Sequence, residues 1–593
     1  MLHNPRGEYP RPQLMRNCWQ SLNGAWRFTF DNSDAGLKNG FHISPSFEKE
    51  INVPFCYQCG ISGVEDKRSY EIMWYHKEFE IPKHMEGKNI ILHFGAVDYS
   101  AKVFLNGQMV AEHEGGHTPF SCDITPFLRD GAQNLVVRVF DPIFAEDIPR
   151  GKQFWKQEPE GIWYTRTSGI WQSVWIEAVN EIYIKNLRFT PDIDNGNIHI
   201  EMDVEGMDVK AEEVCAKFDI SFKGQPVAGI TTNIFDTKTS LCLNLFGQNV
   251  FRTSFHHDGW CWTPENPNLF DIEVALLSKR QETDRVSSYF GMRKVHTKDG
   301  KFFLNNRPYY QRLVLDQGYW PGSLMTAQKD EDFVKDIELA KNMGFNGARK
   351  HQKVEDPRYL YHADKMGFLV WGECANAVSY SGKAAGRLMC EWLEIIERDY
   401  NHPCIVCWVP MNESWGVPNL TTSPEQRAHL NALYHTIKSL DQSRPVISND
   451  GWEMTVTDIV AIHSYSHGGS QDNKQHAVFQ ESLTPENILL GSHAARPIFL
   501  EGYQHENQPI VLTEFGGIAY KADSASGWGY SMVKDEAELL SDLERVVSTV
   551  KASKAIHGYC YTQLTDVEQE INGLLTYDRK PKADLEKIKS IFN

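Results

Sequence analysis

The chain has 593 residues, with 60 Lys and Arg against 78 Asp and Glu, a net charge of −18, and 41 % apolar and 23 % charged residues. That length exceeds what one hydrophobic core supports, so several domains are expected, and the composition is that of a globular chain. The acidic balance has the wrong sign for work on nucleic-acid phosphates or anionic lipid, so neither nucleic acid nor a membrane is expected as a partner.

Aromatics reach 12 %, with 16 Trp and 23 Tyr. Carbohydrate sites use such flat apolar faces, and so do β-sandwich cores. No run is apolar enough to span a bilayer, and the opening MLHNPRGEYPRPQLMRNC lacks the apolar stretch of a secretory leader. Of the 12 Cys, the pairs Cys56/Cys59 and Cys404/Cys407 have no partner pair at zinc-ligand spacing. Reduced, mostly buried thiols in a cytoplasmic protein are expected, with no metal and no cofactor.

Residues 1–182 read as β. Short apolar runs (Ile90–Phe94, Lys102–Leu105, Leu135–Phe140) are broken by turn signals, and Asn106-Gly107 marks a hairpin because both residues suit positive φ. A jelly-roll β-sandwich is expected. Residues 183–295 continue with short strands such as Asn197–Met202, without helical periodicity, and fit a second, immunoglobulin-like β-sandwich.

In residues 296–593 the rhythm changes. A hairpin at Phe302–Tyr310 is followed by alternating helices and apolar strands. Phe333, Ile337, Ala340 and Met343 recur at helical spacing, as do Leu539, Leu543, Val546, Val547 and Val550. Runs ending at Leu315, Ala348, Trp371, Trp408, Ser448, Ile462, Thr513 and Tyr561 give eight strands, the number of a (β/α)8 TIM barrel. The stretch from His467 to Gln508 is a long connection, of the kind that is often functional.

A barrel builds its site at the C-terminal ends of its strands. The polar residues there are Asp316 and Gln317, Arg349, Glu373, Asn412 and Glu413, Asn449 and Asp450, His463 and Tyr465, Glu514, and Tyr561 and Gln563. Several carboxylates, one strong base and no metal-ligand cluster point to acid–base chemistry on a neutral or weakly charged substrate. Two carboxylates held at different pKa values divide the work of glycoside cleavage: one donates a proton, the other attacks or activates water.

Particular segments carry a resemblance. Asn401-His402-Pro403-Cys404-Ile405-Val406-Cys407-Trp408-Val409-Pro410-Met411-Asn412-Glu413 resembles the acid/base segment of glycoside hydrolase family 2, and Ile510-Val511-Leu512-Thr513-Glu514-Phe515-Gly516 its nucleophile segment. Ser168-Gly169-Ile170-Trp171-Gln172-Ser173-Val174 is similar to the signature of the family's N-terminal sugar-binding domain, and Phe290–Lys294 and Phe303–Pro308 to the start of its barrel. The resemblance implies retaining hydrolysis of β-glycosides, with Glu413 as general acid/base, Glu514 as nucleophile, Asn412 on the sugar 2-hydroxyl, and Arg349 and Tyr465 orienting the nucleophile. It also implies a homo-oligomer.

Three positions depart from the family pattern. Trp163 stands where members usually carry Asp, and Gln352 where they usually carry His. The last barrel loop reads Glu570-Ile571-Asn572-Gly573, without the Asn-x-Lys clamp of β-glucuronidases. Asp316 is the candidate to replace the missing Asp, and Lys350, His351 and Lys353 are either surface charge or a subsite for an acidic sugar. Asp566, Glu568 and Glu570 read as a solvated charge run, His402 as structural, and Trp408 and Trp415 as core or sugar platform.

The expectation is an exo-acting retaining β-glycosidase for a galacto-configured sugar, a β-galacturonide or β-galactoside. The chain stops at the barrel, as the β-hexuronidase type does and large β-galactosidases do not, and β-glucuronidase is the alternative. A transglycosidase and a non-catalytic carbohydrate-binding protein on the same fold are further alternatives.

Overall fold

The computed structural model describes residues 5–207, 213–245, 247, 259–490, 495–520 and 527–593. The N-terminal part is a sandwich of two antiparallel sheets. One has six strands, in the order Lys49–Val53, Gly24–Phe30, Ile72–Phe79, Gln133–Phe140, Ser100–Leu105 and Gln108–Glu114; the other has four, Trp19–Ser21, Val174–Val179, Asn89–Phe94 and Phe120–Asp123. Side chains alternate along each strand, so Trp26, Phe28, Tyr75 and Val137 of one sheet meet Leu92, Phe94 and Ile176 of the other in one core. The expected hairpin turn is present, with Asn106 at φ 52° and Gly107 at φ 86°.

A second sandwich follows. Its three-stranded sheet (Tyr183–Asp192, Asn197–Glu205, Lys238–Asn244) packs on a four-stranded sheet (Gln225–Ile234, Val214–Phe222, Phe270–Ser278, Gln281–Phe290) through Ile198, Ile200, Phe218, Ile272 and Val286. The hairpin Lys301–Leu304/Arg307–Pro308 turns on Asn305 and Asn306, both at positive φ, and leads into the barrel.

The barrel sheet has seven ladder strands, all parallel, in the order Ile405–Val409, Leu369–Glu373, Gly347–Lys350, Gln311–Asp316, Ile556–Thr562, Ile510–Gly516 and Val460–Ser464. Seven of the eight expected runs are therefore ladder strands. The eighth, at 445–448, lies in the gap between the first and last of these but makes only isolated bridges: the Trp408 N–H donates to the Pro445 carbonyl, the Ile447 N–H to Trp408, and the Asp458 N–H to Val446. The reason is local. Pro445 has no N–H to donate, and the Val446 N–H is taken by the Asp458 carboxylate at 2.8 Å.

Helices Asp330–Asn342, Pro357–Met366, Gly382–Asp399, Pro424–Leu440 and Glu536–Ala552 pack outside the strands. Phe333, Ile337 and Ala340 face inward on the first of them, and Leu539, Leu543, Val546, Val547 and Val550 on the last. Side-chain caps start four of the five, with Asp356, Ser381, Ser423 and Asp535 each accepting from a first-turn N–H. The long 467–508 connection holds a helix at Asn473–Ser482 whose Phe479 enters the core, and Pro497 and Ile498 accept backbone bonds from Glu453 and Met454.

None of the twelve cysteines is in a disulfide, and seven are buried. Among the described residues, no helix is long and apolar enough to cross a membrane.

Two charge readings are corrected here. Asp566 and Glu570 are buried, because the last loop folds under the N-terminal sandwich: Tyr164 Oη donates to Glu570 at 2.6 Å, and Lys582 pairs with Asp566 at 2.6 Å. Lys350, His351 and Lys353 are buried as well. They are not surface charge.

Candidate active site

Arg349 is the penultimate residue of the strand Gly347–Lys350, points into the barrel and is fully buried. Its Nε donates to Glu373 at 2.7 Å, Nη1 to the Thr513 carbonyl at 2.8 Å and to Glu514 at 3.2 Å, and Nη2 to Asn412 Oδ1 at 3.1 Å; Nη2 also pairs with Asp450 at 2.8 Å. One guanidinium thus ties four strand ends together, using the fork geometry that suits carboxylates.

His463 makes the second bridge. Its Nδ1 meets Glu413 Oε1 at 2.8 Å, while Nε2 meets Asp450 at 3.1 Å and lies 3.5 Å from Glu514 Oε1. Gly451, at φ 104°, makes room for the ring, since a Cβ there would lie 2.8 Å from Nδ1. Burial pushes the His463 pKa down, but Glu514, Asp450 and its hydrogen bonds outweigh that and raise it to about 10. The imidazole is therefore charged at neutral pH and donates from both nitrogens.

Burial pushes the Glu514 carboxyl up. His463, Arg349, His351 and the 2.7 Å bond from Tyr465 Oη reverse this and hold it at about 2. Glu413 is less enclosed, its side chain 20 % exposed against 6 % for Glu514, and His463 is its side-chain partner. One carboxylate oxygen of Glu413, one of Glu514 and a ring nitrogen of His463 all lie within 4.8 Å of one another. Retaining glycosidases space their two carboxyl groups at about 5–5.5 Å.

Glu413 at φ 53° and Ser414 at φ 61° take left-handed backbone that non-glycine residues avoid. The turn is held by Glu413 N–H on the Asp450 carbonyl (2.9 Å), Ser414 N–H on Asn449 Oδ1 (3.0 Å) and Trp415 N–H on the Asn412 carbonyl (2.9 Å). Strain over-determined in this way is characteristic of functional loops.

Comparison with known proteins gives the family. Residues 19–177 match the description "Glycosyl hydrolases family 2, sugar binding domain", 182–293 "Glycosyl hydrolases family 2", and 295–593 "Glycosyl hydrolases family 2, TIM barrel domain". The chain belongs to glycoside hydrolase family 2.

It is 28 % identical over 436 residues to a β-galactosidase of Thermoanaerobacter pseudethanolicus, covering 72 % of this chain and 53 % of that protein. It is 25 % identical over 484 residues to a putative β-glucuronidase of Formosa agariphila, covering 78 % of this chain and 56 % of the relative. The chain thus spans little more than half the length of these two. Against the β-glucuronidase of Rattus norvegicus it is 24 % identical over 555 residues, covering 85 % and 78 %. The fold matches that of the Ruminococcus gnavus β-glucuronidase solved with D-glucuronic acid, with a TM-score of 0.77 and 20 % identity over all of both chains.

Within this family 2 chain, Glu413, Glu514, Asn412, Arg349, His463 and Tyr465 come together. The Asn412 side-chain nitrogen is buried and has no hydrogen-bond partner among the described residues, so its donor is unused. Tyr465 also meets Thr562 Oγ1 at 2.9 Å and stacks on Tyr530 at 3.5 Å.

The other expected residues stand back. Asp316 is spent on Lys350 (2.6 Å) and the Gly318 N–H (2.9 Å), and Lys350 also holds Glu355 at 2.9 Å. Both Asp316 oxygens are thus engaged within the protein. Gln352 exchanges both amide atoms with Asn376, whose Oδ1 accepts from the Asn412 N–H at 2.9 Å. Gln317 joins a chain running through Gln563, Asn572 and Glu570 to Tyr164. Trp163 stacks on Trp415 at 4.5 Å at the rim, whereas Trp408 is core. His402 is structural, 2.6 Å from Asp364.

Asp450 and Glu373 were visible as strand-end carboxylates, but nothing in the sequence marks Asp450 as the bridge between Arg349 and His463. Glu413, His463 and Glu514 also have residue types that can ligate a metal, and each offers one ligand atom within 4.8 Å of the others. Asp364, His402 and Cys404 also cluster.

Proposed function

We propose that the protein is an exo-acting retaining β-glycosidase in which Glu514 attacks the anomeric carbon and Glu413 first protonates the leaving oxygen and then deprotonates water. The reading rests on one observation: the two carboxylates approach within 4.8 Å while only Glu514 is clamped by both Arg349 and Tyr465. A carboxylate held ionised is the better attacking group; one with a free edge can exchange a proton with substrate. The free Asn412 amide supports recognition of a hydroxyl beside the anomeric carbon.

For the sugar, β-glucuronide is the first reading, since the relatives that cover most of this chain are named β-glucuronidases. A galacto-configured sugar, either β-galactoside or β-galacturonide, is the second. It is favoured by the last loop, where Glu570 and Asn572 bond Tyr164 and Gln563 and no Asn-x-Lys clamp occurs. The non-catalytic alternative loses support from the presence of both carboxylates at this spacing.

The test is a panel of p-nitrophenyl β-D-glucuronide, galacturonide, galactoside and glucoside, with the first-formed sugar followed by proton NMR. The β-anomer is expected before mutarotation. An α-anomer would overturn retention, and no turnover on any substrate would overturn the hydrolase reading.

A further inference from the structure

Among the described residues four lysines are buried: Lys152, Lys350, Lys353 and Lys582. Lys350, Lys353 and Lys582 are each paired with a carboxylate. The buried arginines of the same region are also partnered, Arg349 by carboxylates and Arg150 and Arg166 by backbone carbonyls. Lys152 differs. It is 7 % exposed, and its ammonium meets only a ring, with Nζ 5.3 Å from the centre of Trp415. Its stem is enclosed while its ammonium has no carboxylate or carbonyl partner among the described residues, and an aromatic face is only a partial substitute for a counter-charge.

The position of Lys152 is built with care. Arg150 and Gly151 donate their N–H groups to the Asn376 carbonyl at 3.2 and 3.1 Å. Gly151 sits at φ 58°, where a Cβ would fall 2.2 Å from the Gln352 carbonyl oxygen, so only glycine lets the N-terminal sandwich come this close to the barrel top. Asn376 in turn receives the Asn412 N–H, and Trp415 lies two residues beyond Glu413. The next residue after that glycine is therefore held over the loop that carries Glu413.

We propose that Lys152 is a carboxylate-binding residue of the substrate pocket, and that the substrate carries a carboxylate within its reach, either on the departing sugar or on the leaving group. This rests on the glycosidase reading above and adds the substrate's charge to it.

The test uses the full chain, K152M and K152R. The substrates are p-nitrophenyl β-D-glucuronide and galacturonide (carboxylate on the sugar), the matching glucoside and galactoside (none), and β-D-glucosides and galactosides of 4-hydroxybenzoate (carboxylate on the leaving group). One acid-bearing class is expected to be preferred by the parent. K152M should lower kcat/KM on that class by about 10–100-fold more than on the neutral glycosides, the weight of one charge-assisted bond. K152R should restore part of the loss.

A parent that does not prefer acidic over neutral substrates, or a K152M loss equal on both, overturns the proposal and leaves the hydrolase reading standing. If no substrate turns over, calorimetric binding of D-glucuronate and D-galacturonate against D-glucose and D-galactose decides it separately. Tighter binding of an acid by the parent but not by K152M supports Lys152; equal binding by both refutes it.

Discussion

Arg349 and Lys350 are consecutive on one strand and both are buried, yet they anchor opposite kinds of charge cluster. Successive side chains of a strand point to opposite faces, so Arg349 enters the barrel and Lys350 leaves it. Outside, Lys350, Asp316, Glu355 and Lys353 satisfy one another, with Lys353 also donating to the Gly318 and Met325 carbonyls. Inside, Arg349 and His463 bind Glu373, Asp450, Glu514 and Glu413, but Glu413 keeps an exposed edge and Asn412 a free amide. Buried charge alone therefore does not mark a catalytic centre. The mark is charge and hydrogen-bonding capacity that the protein leaves unfinished.

The comparison is most directly broken at Glu514. Glu514→Gln should reduce turnover by more than about 10⁴-fold, as loss of a covalent nucleophile does, while Lys350→Met should leave kcat of the folded protein close to the parent value; steady-state rates on the best substrate check both. Glu413→Gln should cost about 10²–10⁴-fold on poor leaving groups and far less on 2,4-dinitrophenyl glycosides, whose departure needs no proton. Equal losses on both would remove Glu413 from the acid role.

Stability sharpens the contrast from the other side. Arg349→Met and Lys350→Met should each cost about 3–5 kcal/mol in denaturant unfolding, because each leaves buried carboxylates without a partner. Of the two, only Arg349→Met should also move the acid limb of the kcat/KM profile to higher pH, since Arg349 is among the groups that hold Glu514 ionised and Lys350 is not. A shifted limb in Lys350→Met would dissolve the distinction.

Proton linkage gives a further test. His463 is raised from its ordinary 6.5 to about 10 in the folded protein, so its contribution is complete below pH 6.5 and is lost as pH rises towards 10. Glu514 is lowered from 4.5 to about 2, so its contribution is present above pH 4.5 and is lost as pH falls towards 2. The parent's denaturant midpoint should fall between pH 6.5 and 10, and His463→Gln should lack that fall. Identical slopes would show that His463 is not a charged bridge.

Much of the site was legible because a barrel turns strand ends into neighbours. Arg349, Asn412, Glu413, His463, Tyr465 and Glu514 each follow an apolar run, and that rule gathers them without any distance being known. The same rule over-collected. Asp316, Gln317 and Lys350 also end strands or follow them, but their side chains are drawn to the outer cluster or to the last loop. The acidic stretch at 566–570 looked solvated because sequence pattern does not show which surface another domain will cover.

The order of apolar runs, turn residues and helical periods determined by itself that two β-sandwiches precede an α/β barrel, because strand alternation, hairpin φ values and helix faces are local properties. Which carboxylate would be clamped, which cation would stay unpaired, and where Lys152 would meet a loop 263 residues further on were decided only by the tertiary structure. Desolvation and Coulomb energies depend on distance and burial in space, and neither is written in the separation of residues along the chain.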